Sequence, residues 1–148
     1  MDARWAKTNA RQAELARPLP ALSREGAAGP RETVLESDGA GHWLVDGGAA
    51  PQLDGCMDVD LESSAMTNAF PVHRMNLRAD QAADAPAAYV RALDLTAERL
   101  EQGYRRIADQ DGRQQYDYSA PVFGFTARLR YDESGLVTDY PGIALRAG

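Results

Sequence analysis

The stretch from Pro51 to Leu77 reads PQLDGCMDVDLESSAMTNAFPVHRMNL, and it differs in kind from the sequence on either side. It holds three aspartates within seven residues, the only cysteine and one of the two histidines. It also carries the densest run of small hydroxyl and amide side chains. The flanking sequence reads as alternating strands and turns. This contrast indicates that the flanking strands form a scaffold that positions the central stretch.

Period-two alternation predicts a strand in the middle of this stretch. Asp58, Asp60 and Glu62 fall on one face of that strand, while Val59 and Leu61 fall on the other. Three carboxylates on one face repel each other unless they meet cations, hydrogen-bond donors or water. Four interpretations remain open: a solvated face, a buried hydrogen-bonded network, a hard-metal site and an acid/base pair. The first two are the more common fates of such carboxylates.

A short helix is predicted after this strand. Residues 63–68, SSAMTN, offer several N-cap side chains, and the helix is expected to begin near Thr67. Pro71 fits within the first turn of such a helix. From about Arg74 onward, polar and apolar residues alternate again, which predicts a return to strand.

An ion pair is predicted to join this helix to the preceding strand. Arg74 follows the helix, and the planar fork of its guanidinium suits a carboxylate. We expect Asp60, or failing that Asp58, to pair with Arg74 in a partly buried network. Thr67 or Asn68 is expected to complete that network.

Upstream of the central stretch the sequence predicts a β-hairpin. Residues 33–37, TVLES, and residues 42–48, HWLVDGG, flank the Gly-rich turn DGAG. Trp43 and Val45 are expected on one face, and His42 is expected to be a solvated residue at the strand end. Cys56 follows Gly55 in a tight segment and is expected to be a small buried residue.

Downstream, the C-terminal third predicts two strands and a closing hairpin. Residues 114–119 form one predicted strand, and apolar residues alternate strictly with polar ones from Phe123 to Tyr131. The sequence DESG at residues 132–135 turns the chain, and residues 136–140 return as the hairpin partner. Pro141 and Gly142 then end the ladder. We expect this aromatic stripe to belong to the core.

The N-terminal residues differ from the rest of the chain. Residues 1–32 carry few large apolar groups, and Pro18 and Pro20 prevent any continuation of the one predicted helix, which runs from Ala3 to Ala16. We therefore expect residues 1–32 to form a poorly structured or helical tail, and residues 33–148 to form the domain.

Composition narrows the class of protein. The net charge of −6 argues against nucleic acid as a partner. A single cysteine rules out an internal disulfide and fits a reducing compartment. No apolar run approaches the roughly 20 residues that span a bilayer, and residues 1–23 have no continuous apolar core of a Sec-type signal. A cytoplasmic protein is the expectation.

Four ordered blocks resemble the putative glycolipid-binding family. They are LDGCMDVDL (53–61), TNAFPVHRMNL (67–77), DLTAERLEQGYRR (94–106) and GFTARLRYDESGLVTDYPG (124–142). The resemblance covers roughly residues 33 to 146. It implies a mainly β fold: an antiparallel spiral β-roll wrapped around one short helix, similar to lipoprotein-carrier folds. Family members usually carry further N-terminal strands, which residues 1–32 do not resemble.

The family resemblance and local propensity disagree over one segment. Residues 86–106, PAAYVRALDLTAERLEQGYRR, are rich in helix formers, and their propensity alone predicts one helix. The resemblance implies two strands with a turn near Leu93 and Asp94. We favour strands, because tertiary pairing often overrides local propensity.

Three classes of function are consistent with the sequence. The first is non-catalytic binding of a lipid or glycolipid, with a candidate binding set of Asp58, Asp60, Thr67, Asn68, Phe70 and Arg74. The second is a protein-interaction or homo-oligomerisation module that uses an exposed sheet edge. Catalysis ranks last, because no nucleophile–base arrangement, phosphate loop or metal motif can be assembled from these spacings. No catalytic residue, metal or cofactor is predicted.

Overall fold

The computed structural model describes residues 22–26 and 29–146 of the chain, with side chains from residue 32 onward. The predicted helix from Ala3 to Ala16 lies outside the described residues. The described part is mainly β. In chain order its strands are β1 (Leu22–Gly26), β2 (Gly29–Thr33), β3 (Leu35–Ser37), β4 (Trp43–Val45), β5 (Gly48–Ala49), β6 (Asp58–Leu61), β7 (Ala82–Asp84), β8 (Ala87–Val90), β9 (Ala97–Leu100), β10 (Gly103–Gln110), β11 (Arg113–Ala120), β12 (Phe125–Tyr131), β13 (Val137–Tyr140) and β14 (Ala144–Leu145).

The largest sheet is antiparallel and has the order β14-β13-β12-β11-β10-β7. Four of its strands, β10 to β13, are consecutive hairpin partners. Asp111 and Gly112 join β10 to β11 with positive φ angles of 53° and 71°. This two-residue connection has the backbone twist that tight hairpins favour. The DESG turn and the C-terminal hairpin are confirmed.

Two smaller sheets carry the rest of the domain. The hairpin around Trp43 is confirmed as the sheet β3-β4-β5, in which Ser37 pairs with Trp43. The third sheet has the order β6-β8-β9. Its β6–β8 pairing is parallel, which departs from the expected antiparallel pattern. Parallel strands need a long crossover connection, and the segment between Leu61 and Ala87 supplies it.

The segment with conflicting predictions forms strands, as the resemblance implied. All four residues of β8 are buried, and β8 pairs with both β6 and β9. A central strand with two partners gains more from pairing and burial than from local helix propensity. Leu93 and Asp94 lie in the turn between β8 and β9.

The crossover connection contains the predicted helix. A 3-10 turn at Ala65–Asn68 leads into α1, which runs from Ala69 to Met75. The predicted return to strand at Arg74 is wrong, because Arg74 lies in the last turn of α1. The helix ends at Asn76, whose φ of 45° and ψ of 50° form a left-handed cap. Polar and apolar residues alternate from 74 to 79 as in a strand, so the sequence pattern did not indicate a helix cap at Asn76.

Two further corrections concern strand ends. Phe123 lies in a 3-10 turn, Pro121–Phe123, so β12 begins at Phe125. Within the segment expected to be a tail, β1 and β2 pair as an antiparallel hairpin. The single strand expected at residues 33–37 is divided between the end of β2 at Thr33 and β3 at Leu35–Ser37.

The buried apolar residues form two clusters. One is rich in tyrosines of the large sheet, and it includes Val72 of α1. The other surrounds Trp43 and Cys56. The indole N–H of Trp43 donates a hydrogen bond to the backbone oxygen of Cys56 over 2.8 Å, which ties the hairpin to the central stretch. Cys56 is fully buried as expected, and this burial raises the pKa of its thiol.

Candidate functional site

The central stretch contains a bidentate ion pair between β6 and α1. Arg74 Nε lies 3.1 Å from both carboxylate oxygens of Asp58, and Arg74 Nη2 lies 2.6 Å from Oδ2. The Asp58 residue is only 7 % exposed. The prediction that Arg74 pairs with an aspartate of this strand is confirmed for Asp58, and the first choice of Asp60 is wrong. The last turn of α1 brings Arg74 to the first residue of β6.

Asp60 has a different environment from Asp58. It is 8 % exposed, and the Thr67 hydroxyl lies 2.7 Å from its Oδ1 atom. The same hydroxyl also lies 2.8 Å from the backbone oxygen of Ser64, and its one hydrogen can serve only one of these acceptors at a time. Burial raises the pKa of Asp60 to about 6, although the Thr67 hydrogen bond opposes that shift.

Asn68 connects the start of α1 to the tyrosines of the large sheet. Its side-chain N–H donates to the Tyr104 hydroxyl over 2.8 Å. Its backbone oxygen accepts a hydrogen bond from the Tyr131 hydroxyl over 3.2 Å. Thr67 and Asn68 therefore bind Asp60 and Tyr104, and they do not complete the Asp58–Arg74 pair as predicted.

A cavity of about 280 Å³ lies between the β6-β8-β9 sheet and the large sheet. Its polar wall comes from the central stretch and carries Asp60, Glu62, Ser63, Ser64 and Asn68. Its apolar wall is half aromatic and carries Leu61, Ala65, Tyr89, Leu100, Tyr118, Ala120, Phe123, Phe125, Tyr140 and Ile143. The lining thus combines polar side chains of the central stretch with apolar and aromatic side chains that come mostly from strands of the two sheets.

The aromatic side chains of the cavity contact one another. The ring centroids of Tyr89 and Phe123 are 5.6 Å apart, and those of Tyr118 and Phe125 are 6.1 Å apart. Tyr140 lies 6.1 Å from Tyr118 and stacks on Phe125 at 6.0 Å. Phe123 is 50 % exposed at the edge of the cavity, so an apolar surface continues outward into solvent.

The structure brings together two of the six predicted binding residues. Asp60 and Asn68 line the cavity. Thr67 hydrogen-bonds to Asp60 but is not among the lining residues. Asp58 and Arg74 form an ion pair with each other, and neither residue lines the cavity. Phe70 lies on α1, is 38 % exposed and is not among the lining residues.

Sequence reasoning missed the aromatic wall. The sequence pattern favours the core for the stripe from Phe123 to Tyr131, whereas Phe123 and Phe125 line the cavity. Tyr118 and Tyr140 belong to predicted strands, so the sequence pattern places both residues in the sheet. The signal that could have found the wall is the clustering of aromatic residues near the ends of β11, β12 and β13.

The described residues were also compared with the requirements of a metal site and of a membrane-spanning helix. Within residues 22–26 and 29–146, no group of three or more His, Cys, Asp or Glu side chains is arranged to hold a metal ion. No helix in the described part of the chain is long and apolar enough to span a bilayer.

Comparison with known proteins identifies a family and a similar structure. The model of the family described as putative glycolipid-binding matches residues 20–146, so the match begins before residue 33. The crystal structure of a DUF1089 family protein from Pseudomonas aeruginosa is 38 % identical in sequence, with a TM-score of 0.78. The alignment covers 86 % of this chain and 68 % of that chain. No curated protein matches the chain.

Proposed function

We propose that this chain, which belongs to the putative glycolipid-binding family, is a non-catalytic binding protein for an amphipathic ligand. The observation that carries the proposal is the cavity between the two sheets, whose lining combines polar and aromatic side chains. Apolar pockets with a few convergent polar groups are typical of small-molecule sites. The aromatic wall takes the apolar part of the ligand, and the wall formed by Asp60, Ser64 and Asn68 takes its head group.

The exposed apolar residues beside the cavity support this proposal. Phe123 at the edge is half exposed, and Ile143 is 48 % exposed. Exposed apolar surface that continues into a cavity provides a path along which an acyl or alkyl chain stays out of water. The cavity of about 280 Å³ lies near the lower end of small-molecule sites, so it accommodates a head group and part of one chain.

The alternative, an interaction module that uses a sheet edge, has weaker support. The two edges of the large sheet are β7 with three residues and β14 with two residues. Very short edge strands present few unpaired backbone groups to a partner. Light scattering of the purified protein distinguishes the two proposals, since the interaction module requires a defined oligomer.

Binding of Nile red, an uncharged dye that fluoresces in apolar surroundings, tests the proposed function. We expect saturable binding with one site per chain, and displacement by dodecyl maltoside below its micellar concentration. Phe123→Asp should weaken binding about tenfold, because it places a charge at the apolar edge of the cavity.

Phe70→Asp is the matched control for this experiment. Phe70 is similarly exposed but does not line the cavity, so its variant should bind the dye within about twofold of the unmodified protein. Absence of saturable binding, or an equal loss in both variants, would contradict the proposed function.

A further inference from the structure

Among the described residues, the cavity lining contains acidic side chains but no basic ones. Asp60 and Glu62 belong to this lining, and none of its described residues is Arg, Lys or His. An anionic head group, such as a phosphate or a fatty-acid carboxylate, would therefore lie beside carboxylates without a compensating charge. Such a ligand is disfavoured by like-charge repulsion in a site of low dielectric constant.

The two aspartates of β6 differ in whether they have a counterion. Asp58 is paired with Arg74, whereas no described cation forms an ion pair with Asp60. Asp60 is nevertheless as buried as Asp58. A buried ionised carboxylate without a counterion is unfavourable, so a ligand that brings a positive charge gains from pairing with it. The cavity beside Asp60 is the place from which a ligand can supply that charge.

The aromatic wall suits a cation for an independent reason. Five rings, those of Tyr89, Tyr118, Phe123, Phe125 and Tyr140, line the same cavity as Asp60. The faces of aromatic rings attract cations, and clusters of rings recognise alkylated ammonium groups. The one cation–ring contact among the described residues, Arg106 over Tyr116, involves none of these five rings.

We infer that the cavity selects an amphipathic ligand whose head group is an organic cation, such as an alkylammonium group. Asp60 supplies the counterion, and the five rings surround the alkylated nitrogen. The inference rests on the proposed function and specifies the ligand class of that same cavity. A neutral polyhydroxyl head group could accept and donate hydrogen bonds here, but it would leave the buried charge of Asp60 without compensation.

The test compares three amphiphiles that share a twelve-carbon chain. Dodecyltrimethylammonium, dodecyl maltoside and dodecanoate are each used below their micellar concentrations to displace Nile red at pH 8 and physiological salt. We expect the cation to displace the dye at a concentration about tenfold lower than the maltoside, and dodecanoate to be the weakest. Circular dichroism at each concentration verifies that the protein stays folded.

Two variants of cavity residues and one control variant test whether the preference for the cation arises in the cavity. Asp60→Asn should bring the cation and the maltoside to within about threefold of each other, because it weakens the cation more than the maltoside. Asp54→Asn, which removes the same charge from an exposed residue outside the cavity lining, should keep the tenfold preference. Tyr89→Leu, which removes one ring, should weaken the cation more than the maltoside and provides a second test that is independent of Asp60.

The outcomes separate this inference from the proposed function. If the maltoside binds as tightly as the cation, or if Asp60→Asn and Tyr89→Leu both keep the preference, the inference is wrong while the proposed function stands. If Nile red does not bind saturably, the proposed function fails together with the inference.

Discussion

Arg74→Ala is expected to lower the free energy of unfolding by about 3 kcal/mol, near the low end for breaking a buried ion pair. The variant leaves the carboxylate of Asp58, which is 7 % exposed, without its bidentate partner. The effect stays near the low end because the Arg74 side chain is 35 % exposed, and solvent screens part of the interaction. Urea denaturation at pH 7 measures the difference.

Arg78→Ala is the matched control for this prediction. Arg78 is exposed, and none of the ion pairs of the described residues involves its side chain. Its truncation should change the free energy of unfolding by at most about 0.5 kcal/mol. Equal denaturation midpoints for the two variants would mean that the pair does not stabilise the contact between β6 and α1. A double-mutant cycle with Asp58→Asn then isolates the coupling between the two side chains.

Asp60→Asn is expected to change how stability depends on pH. The pKa of Asp60 rises from 3.8 to about 6 on folding, so between these values the folded state binds more protons than the unfolded state. The carboxyl therefore stabilises the fold fully below about pH 4, and this stabilisation is lost as pH rises through 6. The shift corresponds to roughly 3 kcal/mol. The Asn variant, which carries no ionisable group there, should not show this loss.

The measurement is urea denaturation of both proteins at several pH values between 4 and 8. The difference between the two free energies isolates Asp60, because other groups titrate in both proteins alike. His42 is one such group, since its hydrogen bond with Asp38 raises its pKa. Five tyrosines interact electrostatically with Asp60, and burial raises the pKa of each of their hydroxyls. They therefore stay protonated between pH 4 and 8. These residues are Tyr89, Tyr104, Tyr118, Tyr131 and Tyr140. A difference that is constant with pH would contradict the raised pKa of Asp60.

Local patterns predicted the elements that local interactions form. The alternation of Asp58 to Leu61 predicted β6, and the DESG turn predicted the closing hairpin. The run from Ser63 to Asn68, followed by Pro71, predicted the short helix. In each case neighbours in sequence determine the backbone conformation, so the signal is present in the sequence itself.

The features that the sequence did not reveal depend on contacts between residues that are far apart in the chain. The parallel pairing of β6 with β8 depends on a crossover connection, and period-two alternation does not specify its direction. The choice of Asp58 over Asp60 by Arg74 depends on the length of α1, which ends at a left-handed Asn76. The cavity joins Asp60 with Tyr118 and Tyr140, and only the packing of two sheets brings these residues together.

The most direct test of ligand binding in the cavity is a dye titration of the variant Ala120→Leu. Ala120 is 1 % exposed and lines the cavity, so the larger side chain fills space that the ligand would occupy. We expect the variant to stay folded, with a free energy of unfolding lowered by about 1–3 kcal/mol because a larger side chain enters a buried position, and to lose saturable Nile red binding. Unchanged dye affinity in a folded Ala120→Leu variant would show that the ligand binds elsewhere and would contradict this account.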